Sequence, residues 1–227
     1  KGRAKDGNES APRGELFKVC FMEQLDQIVR TISLTMGAAW ASGINLYATI
    51  FVLGFLGTTE NIVLPQGLEI LMEPMVMGAA GVMYFVEFFS DKVPGVDTGW
   101  DTLHTFIRIP AGVMMAAGAV GEVNPAVTLA AAILGGGIAA GSHFTKAGTR
   151  VLINTSPEPF SNWTASVLED VAVIAGIWGA LHHPVLFLVF LLLFFCIIVW
   201  LLPKIWSSIH KLFNLIKGTF KRKDRAG

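Results

Sequence analysis

The stretch Val185–Leu202 runs for eighteen residues without one charged side chain, and few folds can accept it. Spanning a bilayer takes about 20 mostly apolar residues in a helix. A helix buried in a soluble protein rarely needs every face apolar over such a length. This stretch with its flanks therefore predicts a transmembrane helix. Apolar blocks fall at about 28–56, 74–90, 102–120, 125–145, 164–181 and 184–202. Turn signals separate them at Gly57-Thr-Thr, Pro65-Gln-Gly, Pro94-Gly95, Asn124-Pro125, Pro157-Glu-Pro159 and His182-His-Pro184. The expected fold class is all-α, a polytopic transmembrane helical bundle of about six spans.

Charged residues make up 15% of the 227, against roughly 25% in a typical soluble domain. Basic and acidic residues number 17 each, and no nucleic-acid partner is expected. Two cysteines, Cys20 and Cys196, imply no disulfide framework. Residues 1–21 are polar and lack the apolar core of a signal peptide. Met22-Glu-Gln-Leu-Asp reads like a natural start. Three segments are thus expected: a disordered extension or non-native leader at 1–21, a six-span domain at 22–202, and a basic amphipathic tail at 203–227.

Lysine and arginine in short loops set orientation. The stretch 57–73 has three glutamates and no base, and the turn at 119–125 has Glu122 alone. Lys92, Lys146 and Arg150 border the alternate turns, and the tail is strongly basic. Both ends are expected in the cytoplasm. In the tail, Ile205, Trp206, Ile209, Leu212, Phe213 and Ile216 recur at helical spacing among Lys204, Lys211 and Lys217. That pattern suits a helix on the inner leaflet held by anionic lipid; the simpler reading is a positive-inside anchor for the last span.

The first block is interrupted by Ala41-Ser-Gly43-Ile-Asn45. Gly43 and Asn45 mark a helix break, which at membrane depth must be buried in protein or line a wet cavity. The alternative is a small-residue patch where another helix approaches closely. The run Gly135-Gly-Gly137 with Gly141 reads as close packing. Pro94 stands six residues before Trp100, and Pro157 six before Trp163. Spans two–three and four–five therefore resemble tandem hairpins in a parallel repeat.

Charged residues recur at helical spacing. Glu87 and Asp91 are one turn apart, as are Asp97, Asp101, His104 and Arg108 in succession. His143, Lys146 and Arg150 share a face near the end of span four; Asn162, Ser166, Glu169 and Asp170 share one in span five. In lipid such stripes must point inward, because a charge at the centre of a span costs roughly 2.5 to 3.5 kcal/mol even on the lenient insertion scale. The plainer reading is that they lie at the interface and staple the cytoplasmic turns. That suits Asp91, Lys92, Asp97 and Glu158 better than Arg108, Glu169 and Asp170, which sit further into their spans.

Several of these motifs resemble one bacterial membrane family: Ala41-Ser-Gly-Ile-Asn-Leu-Tyr47, Asp91-Lys-Val-Pro-Gly-Val-Asp97, Trp100-Asp-x-x-His104-Thr and Arg108-x-Pro110-Ala-Gly112. Asn154-Thr-Ser-Pro-Glu-Pro-Phe-Ser-Asn162 followed by Glu169-Asp170 matches it too. It is the domain-of-unknown-function family 4126. The resemblance implies a bacterial inner-membrane location and a native start near Met22, and it brings no established activity.

Three functions fit the polar cluster. A small transporter or channel would use Asp101, His104, Glu169 and Asp170 to exchange protons or cations, with Arg108 setting their charge states; a homo-oligomer is expected to complete so small a bundle. A membrane enzyme acting on a lipid phosphate would use Asp97 and Asp101 to hold Mg²⁺ and Lys146, Arg150 and Arg108 to grip phosphate. A scaffold subunit would use the charges as staples. No Gly-x-Ser-x-Gly, His-Glu-x-x-His or Cys-x-x-Cys motif occurs, and His182-His183 reads as an interfacial turn.

Overall fold

A computed structural model describes residues 13–93, 95–121, 124–154 and 159–201. Expectations for residues 1–12, for Glu158 and for the basic tail fall outside the described residues. The described chain forms α1 (Arg13–Ile44), α2 (Leu46–Thr58), a 3-10 segment (Gln66–Met72), α3 (Pro74–Ser90), α4 (Val96–Val120), α5 (Pro125–Ile153) and α6 (Pro159–His182). A last helix, α7, covers Pro184–Leu201. No strand occurs among the described residues.

Helices α4 to α7 are each long and apolar enough to cross a membrane. The 3-10 segment and α3 meet the same test together, as a pair bent by 67°. The block at 28–56 is not one straight helix: it divides between the second half of α1 and α2, which has 13 residues. At 1.5 Å per residue α2 is about 20 Å long, short of a hydrocarbon core of about 30 Å. Among the described residues, length and apolarity therefore support four spans, or five with the bent pair counted as one, where about six are expected from the sequence.

The break lies at Asn45, whose extended backbone (φ −143°, ψ 98°) leaves the helical region. Its N–H still donates to the Ala41 carbonyl at 2.9 Å, and its Oδ1 accepts from the Ala48 N–H at 3.0 Å. One residue thus ends α1 and caps α2. Two residues earlier, a Cβ on Gly43 would collide with Ser142 Oγ and the Ala139 carbonyl of α5. The chain breaks here and also packs closely, so the two readings of this block are compatible.

Small residues set the other close approaches. Gly112 and Ala116 of α4 meet Ala139 and Gly135 of α5, which lets dispersion contacts join two helices that lipid would solvate equally well apart. On the far side, Trp40 of α1 makes edge contacts with Phe187, Phe190 and Phe194 of α7 at 5.7–6.1 Å. Gly176 of α6 leaves room for the same indole.

Residues 13–21 were expected to be disordered, yet they are the first turns of α1. No glycine or proline lies between Gly14 and Gly37 to stop the helix from propagating upstream of Met22. The two hairpins echo each other in their caps. Asp91 ends α3 and Asn154 ends α5 with nearly the same backbone (φ −65°, ψ −14°; φ −71°, ψ −8°), each N–H returning to the carbonyls four and two residues back.

Candidate functional site

The polar stripes of α3, α4, α5 and α6 converge on one buried network. Helical spacing of three and four lines each stripe up on a single face, and packing turns the four faces toward one another. Nearest the turns, Asn154 Nδ2 donates to both oxygens of Asp97 at 2.9 and 2.8 Å. Asp97 also accepts from the N–H groups of Gly95 at 2.8 Å and Thr98 at 2.6 Å. Asn162 Nδ2 donates to Asn154 Oδ1 at 2.9 Å, joining the start of α4 to the end of α5 and the start of α6.

One layer deeper, Arg150 reads both oxygens of Glu169 through Nε (3.2 Å) and Nη2 (2.7 Å). Its Nη1 donates to the carbonyls of Asp91 and Asn162, each at 3.0 Å. This planar two-point pairing is what a guanidinium does better than an ammonium. Next comes Lys146, whose Nζ lies 2.8 Å from Asp91, 3.0 Å from Glu87, 3.5 Å from Glu169 and 3.8 Å from Asp101. It touches carboxylates from three other helices.

Deepest is Arg108, the thirteenth of 25 residues in α4. It pairs with Glu87, with Asp101 at 3.0 Å and with His143 Nδ1 at 3.2 Å. Because Arg108 can only donate, His143 Nδ1 accepts, so its Nε2–H donates to Thr105 Oγ1 at 2.7 Å. Thr105 in turn donates to the Asp101 carbonyl at 3.1 Å. To one side, Asp170 accepts from Asn45 Nδ2 at 3.0 Å and from Tyr84 at 2.8 Å. His104 donates from Nδ1 to the Trp100 carbonyl (2.8 Å) and accepts from Tyr47 (3.0 Å).

Lys92, in the turn between α3 and α4, donates to the Phe88 carbonyl at 2.9 Å and lies over the Phe88 and Trp163 rings. Burial pushes its ammonium pKa below the usual lysine range, with Arg150 adding to the effect and Asp170 and Asp91 opposing it. The side chains of Glu87, Asp91, Asp101, Arg108, Lys146 and Arg150 are at most 4% exposed, and that of Glu169 is 16% exposed.

The charges do not balance. Glu87, Asp91, Asp97, Asp101, Glu169 and Asp170 are six carboxyl groups, against the four bases Lys92, Arg108, Lys146 and Arg150. The hydrogen bonds do not balance either. Glu87 Oε2, Asp91 Oδ1 and Asp101 Oδ2 are buried with no hydrogen bond from a described protein group, whereas Arg108 Nε is the one charged donor among the described residues left so. The described protein groups thus leave more acceptors than donors to spare, and buried polar groups are nearly always satisfied.

The surplus is not arranged as a metal cage. Among the described residues, no group of three or more His, Cys, Asp and Glu side chains is placed to hold a metal ion. Asp97 and Asp101, one turn apart on α4, face different partners: Asn154 and backbone amides for the first, Arg108 for the second. His182 and His183 are exposed at the turn into α7, where His182 bonds the Trp178 carbonyl at 3.0 Å.

Sequence reasoning missed Tyr47, Tyr84, Thr98 and Thr105 as network members. A signal existed: the chain has two tyrosines, and Tyr84 lies three residues before Glu87 while Thr105 lies four after Asp101.

An opening between two helices reaches the network. A cleft of about 670 Å³ lies between α5 and α6, with Lys146 and Glu169 at its floor. Ile44, beside the helix break, and Phe194 of α7 complete its walls.

Apolar helices of spanning length around a buried ionic centre define an integral, multi-pass membrane protein. The chain belongs to the family described as Domain of unknown function (DUF4126), whose model matches residues 32–204. Every network residue named above falls inside that match. No curated protein and no solved structure matches the chain.

Proposed function

We propose that this protein is a small transporter of protons or monovalent cations, with the buried carboxylate network as its binding centre. The observation that carries the reading is the surplus of acid: six carboxyl groups against four bases, with three carboxylate oxygens that accept from no described protein group. Ionisable groups at this depth are expensive and mark ion or proton paths more often than they stabilise a bundle. A proton or cation bound by Glu87, Asp91 or Asp101 would offset the excess, and Lys146 would relay its arrival to Glu169.

A lipid phosphate finds less to hold here. Arg108, Lys146 and Arg150 already face carboxylates, and Mg²⁺ between Asp97 and Asp101 would have to displace Asn154 and Arg108. In this reading the protein sits in a bacterial inner membrane with both ends cytoplasmic, the basic tail rests on anionic lipid, and a homo-oligomer completes the wall of a small bundle.

The test is flux into liposomes reconstituted with the full chain, driven by a membrane potential and read by an internal pH dye, then by sodium and potassium indicators. Wild type should exceed empty vesicles for at least one of these ions, and Asp101→Asn and Glu169→Gln should fall toward the empty-vesicle rate. Wild-type flux equal to that of empty vesicles for all of them would refute the reading.

A further inference from the structure

We propose that the α5–α6 cleft binds a lipophilic amine in its protonated form, and that the amine exchanges there for a proton held by the buried carboxylates. The inference rests on the transport reading of the same centre and names its substrate class.

α5 and α6 both qualify as membrane spans, and Thr149, Phe160, Thr164 and Leu168 at the cleft are exposed on them. Its mouth therefore faces the bilayer, and a ligand enters from lipid. At about 670 Å³ the cleft lies within the range that holds a small organic molecule, roughly 300–1,000 Å³.

Thr145, Thr149 and Thr164 each donate their hydroxyl hydrogen to the carbonyl four residues back, at 2.7–2.8 Å. Each oxygen keeps acceptor capacity and no hydrogen to give. Lys146, the cationic side chain at the floor, already faces four carboxylates. Ser142 likewise spends its hydroxyl hydrogen on backbone carbonyls, so these three threonines and Ser142 present acceptors to an occupant and no free hydrogen. An ammonium group supplies up to three donors and a positive charge; a carboxylate or phosphate supplies neither.

Glu169 faces Arg150 and Lys146 from α5, and Asp91 from α3 shares both of those bases. Its neighbour Asp170 faces Asn45 and Tyr84. Lys146 extends from Glu169 to Glu87, Asp91 and Asp101, and of these Glu87 and Asp101 also face Arg108 and, through it, His143. A cation arriving at Glu169 adds positive charge beside this set in a low-dielectric interior. A proton on the unpartnered carboxylates is then expelled to water: the protonated amine enters and one proton leaves, so charge balances. Protons compete with the amine, and binding weakens as pH falls.

The test uses the full chain in lipid nanodiscs, titrated calorimetrically with four compounds of one shape: 1-adamantylamine, its trimethylammonium analogue, 1-adamantanol and adamantane-1-carboxylate. Empty nanodiscs supply the partition background. Repeating the amine titration in buffers of different ionisation enthalpy counts protons released. The amine should bind saturably and more tightly than the other three, with proton release. Ala165→Phe, which adds bulk at the cleft wall one helical turn from Glu169, should abolish amine binding in protein that melts as a folded species, and so should Glu169→Gln. Amine binding no tighter than that of the alcohol or carboxylate, or unchanged in Ala165→Phe, would overturn the inference. Ion flux without any adamantyl binding defeats this inference and leaves the transport reading standing; saturable amine binding with proton release but no ion flux supports the site and defeats simple ion transport.

Discussion

Replacing Lys146 with methionine tests the network at its hub. Methionine matches the length of the aliphatic stem, so packing changes little, while the ammonium disappears from among Glu87, Asp91, Asp101 and Glu169 at 2.8–3.8 Å. Removing one partner from a buried ion pair costs about 3–5 kcal/mol, because the other charge is left uncompensated. Here the loss raises the imbalance to six carboxyl groups against three bases. Uptake of a proton by the carboxylate set left uncompensated limits the damage, so the destabilisation should shrink as pH is lowered. Glu87→Gln removes one of the acids Lys146 neutralises, and the double variant should recover about 2 kcal/mol relative to additivity, within the range of coupled neighbours. Reversible unfolding in mixed micelles, followed by circular dichroism, gives all four corners of the cycle. A Lys146→Met protein within about 0.5 kcal/mol of wild type, the ordinary range for uninvolved surface sites, would refute this reasoning, as would strict additivity.

Two further substitutions test how the site is held. Gly43→Val should prevent folding, since its side chain would meet Ser142 and the Ala139 backbone, whereas Gly78→Ala, with open space around it, should melt like wild type. Asn45→Ala should cost about 1–2 kcal/mol through the lost helix cap. Asn45→Asp keeps that cap but sets a second carboxylate 3.0 Å from Asp170, so it should be at least as destabilising; a wild-type melting temperature for it would show that Asn45 and Asp170 are not partners.

The polar stripes were legible because a spacing of three and four fixes a helix face, and lipid leaves charged faces nowhere to go but inward. Which acid meets which base was not legible, because that depends on how four helices rotate against one another. The adjacent Asp97 and Asp101 illustrate this: a one-turn spacing suggested a shared ligand, yet they serve different partners. The stretch 57–73 read as an outer loop because three glutamates masked the three-residue spacing of Leu68 and Leu71; both side chains are buried, in the 3-10 segment. Gly43 and Asn45 announced an interruption, but only packing against α5 revealed that break and close contact coincide. The aromatic hydroxyls carry no charge to mark them as part of a stripe, yet Tyr47 and Tyr84 point theirs at His104 and Asp170.

The central claim is that the buried network holds more acid than its bases neutralise, and that the excess exchanges protons with water. Infrared difference spectroscopy of the full chain in nanodiscs, titrated in light and heavy water, reads protonated carboxyl groups directly through their carbonyl stretch. A pH-dependent, deuterium-shifted carboxyl band that Glu87→Gln or Asp101→Asn removes is the predicted result. No titrating carboxyl band beyond those of exposed acids, or a band that never exchanges with heavy water, would contradict the account.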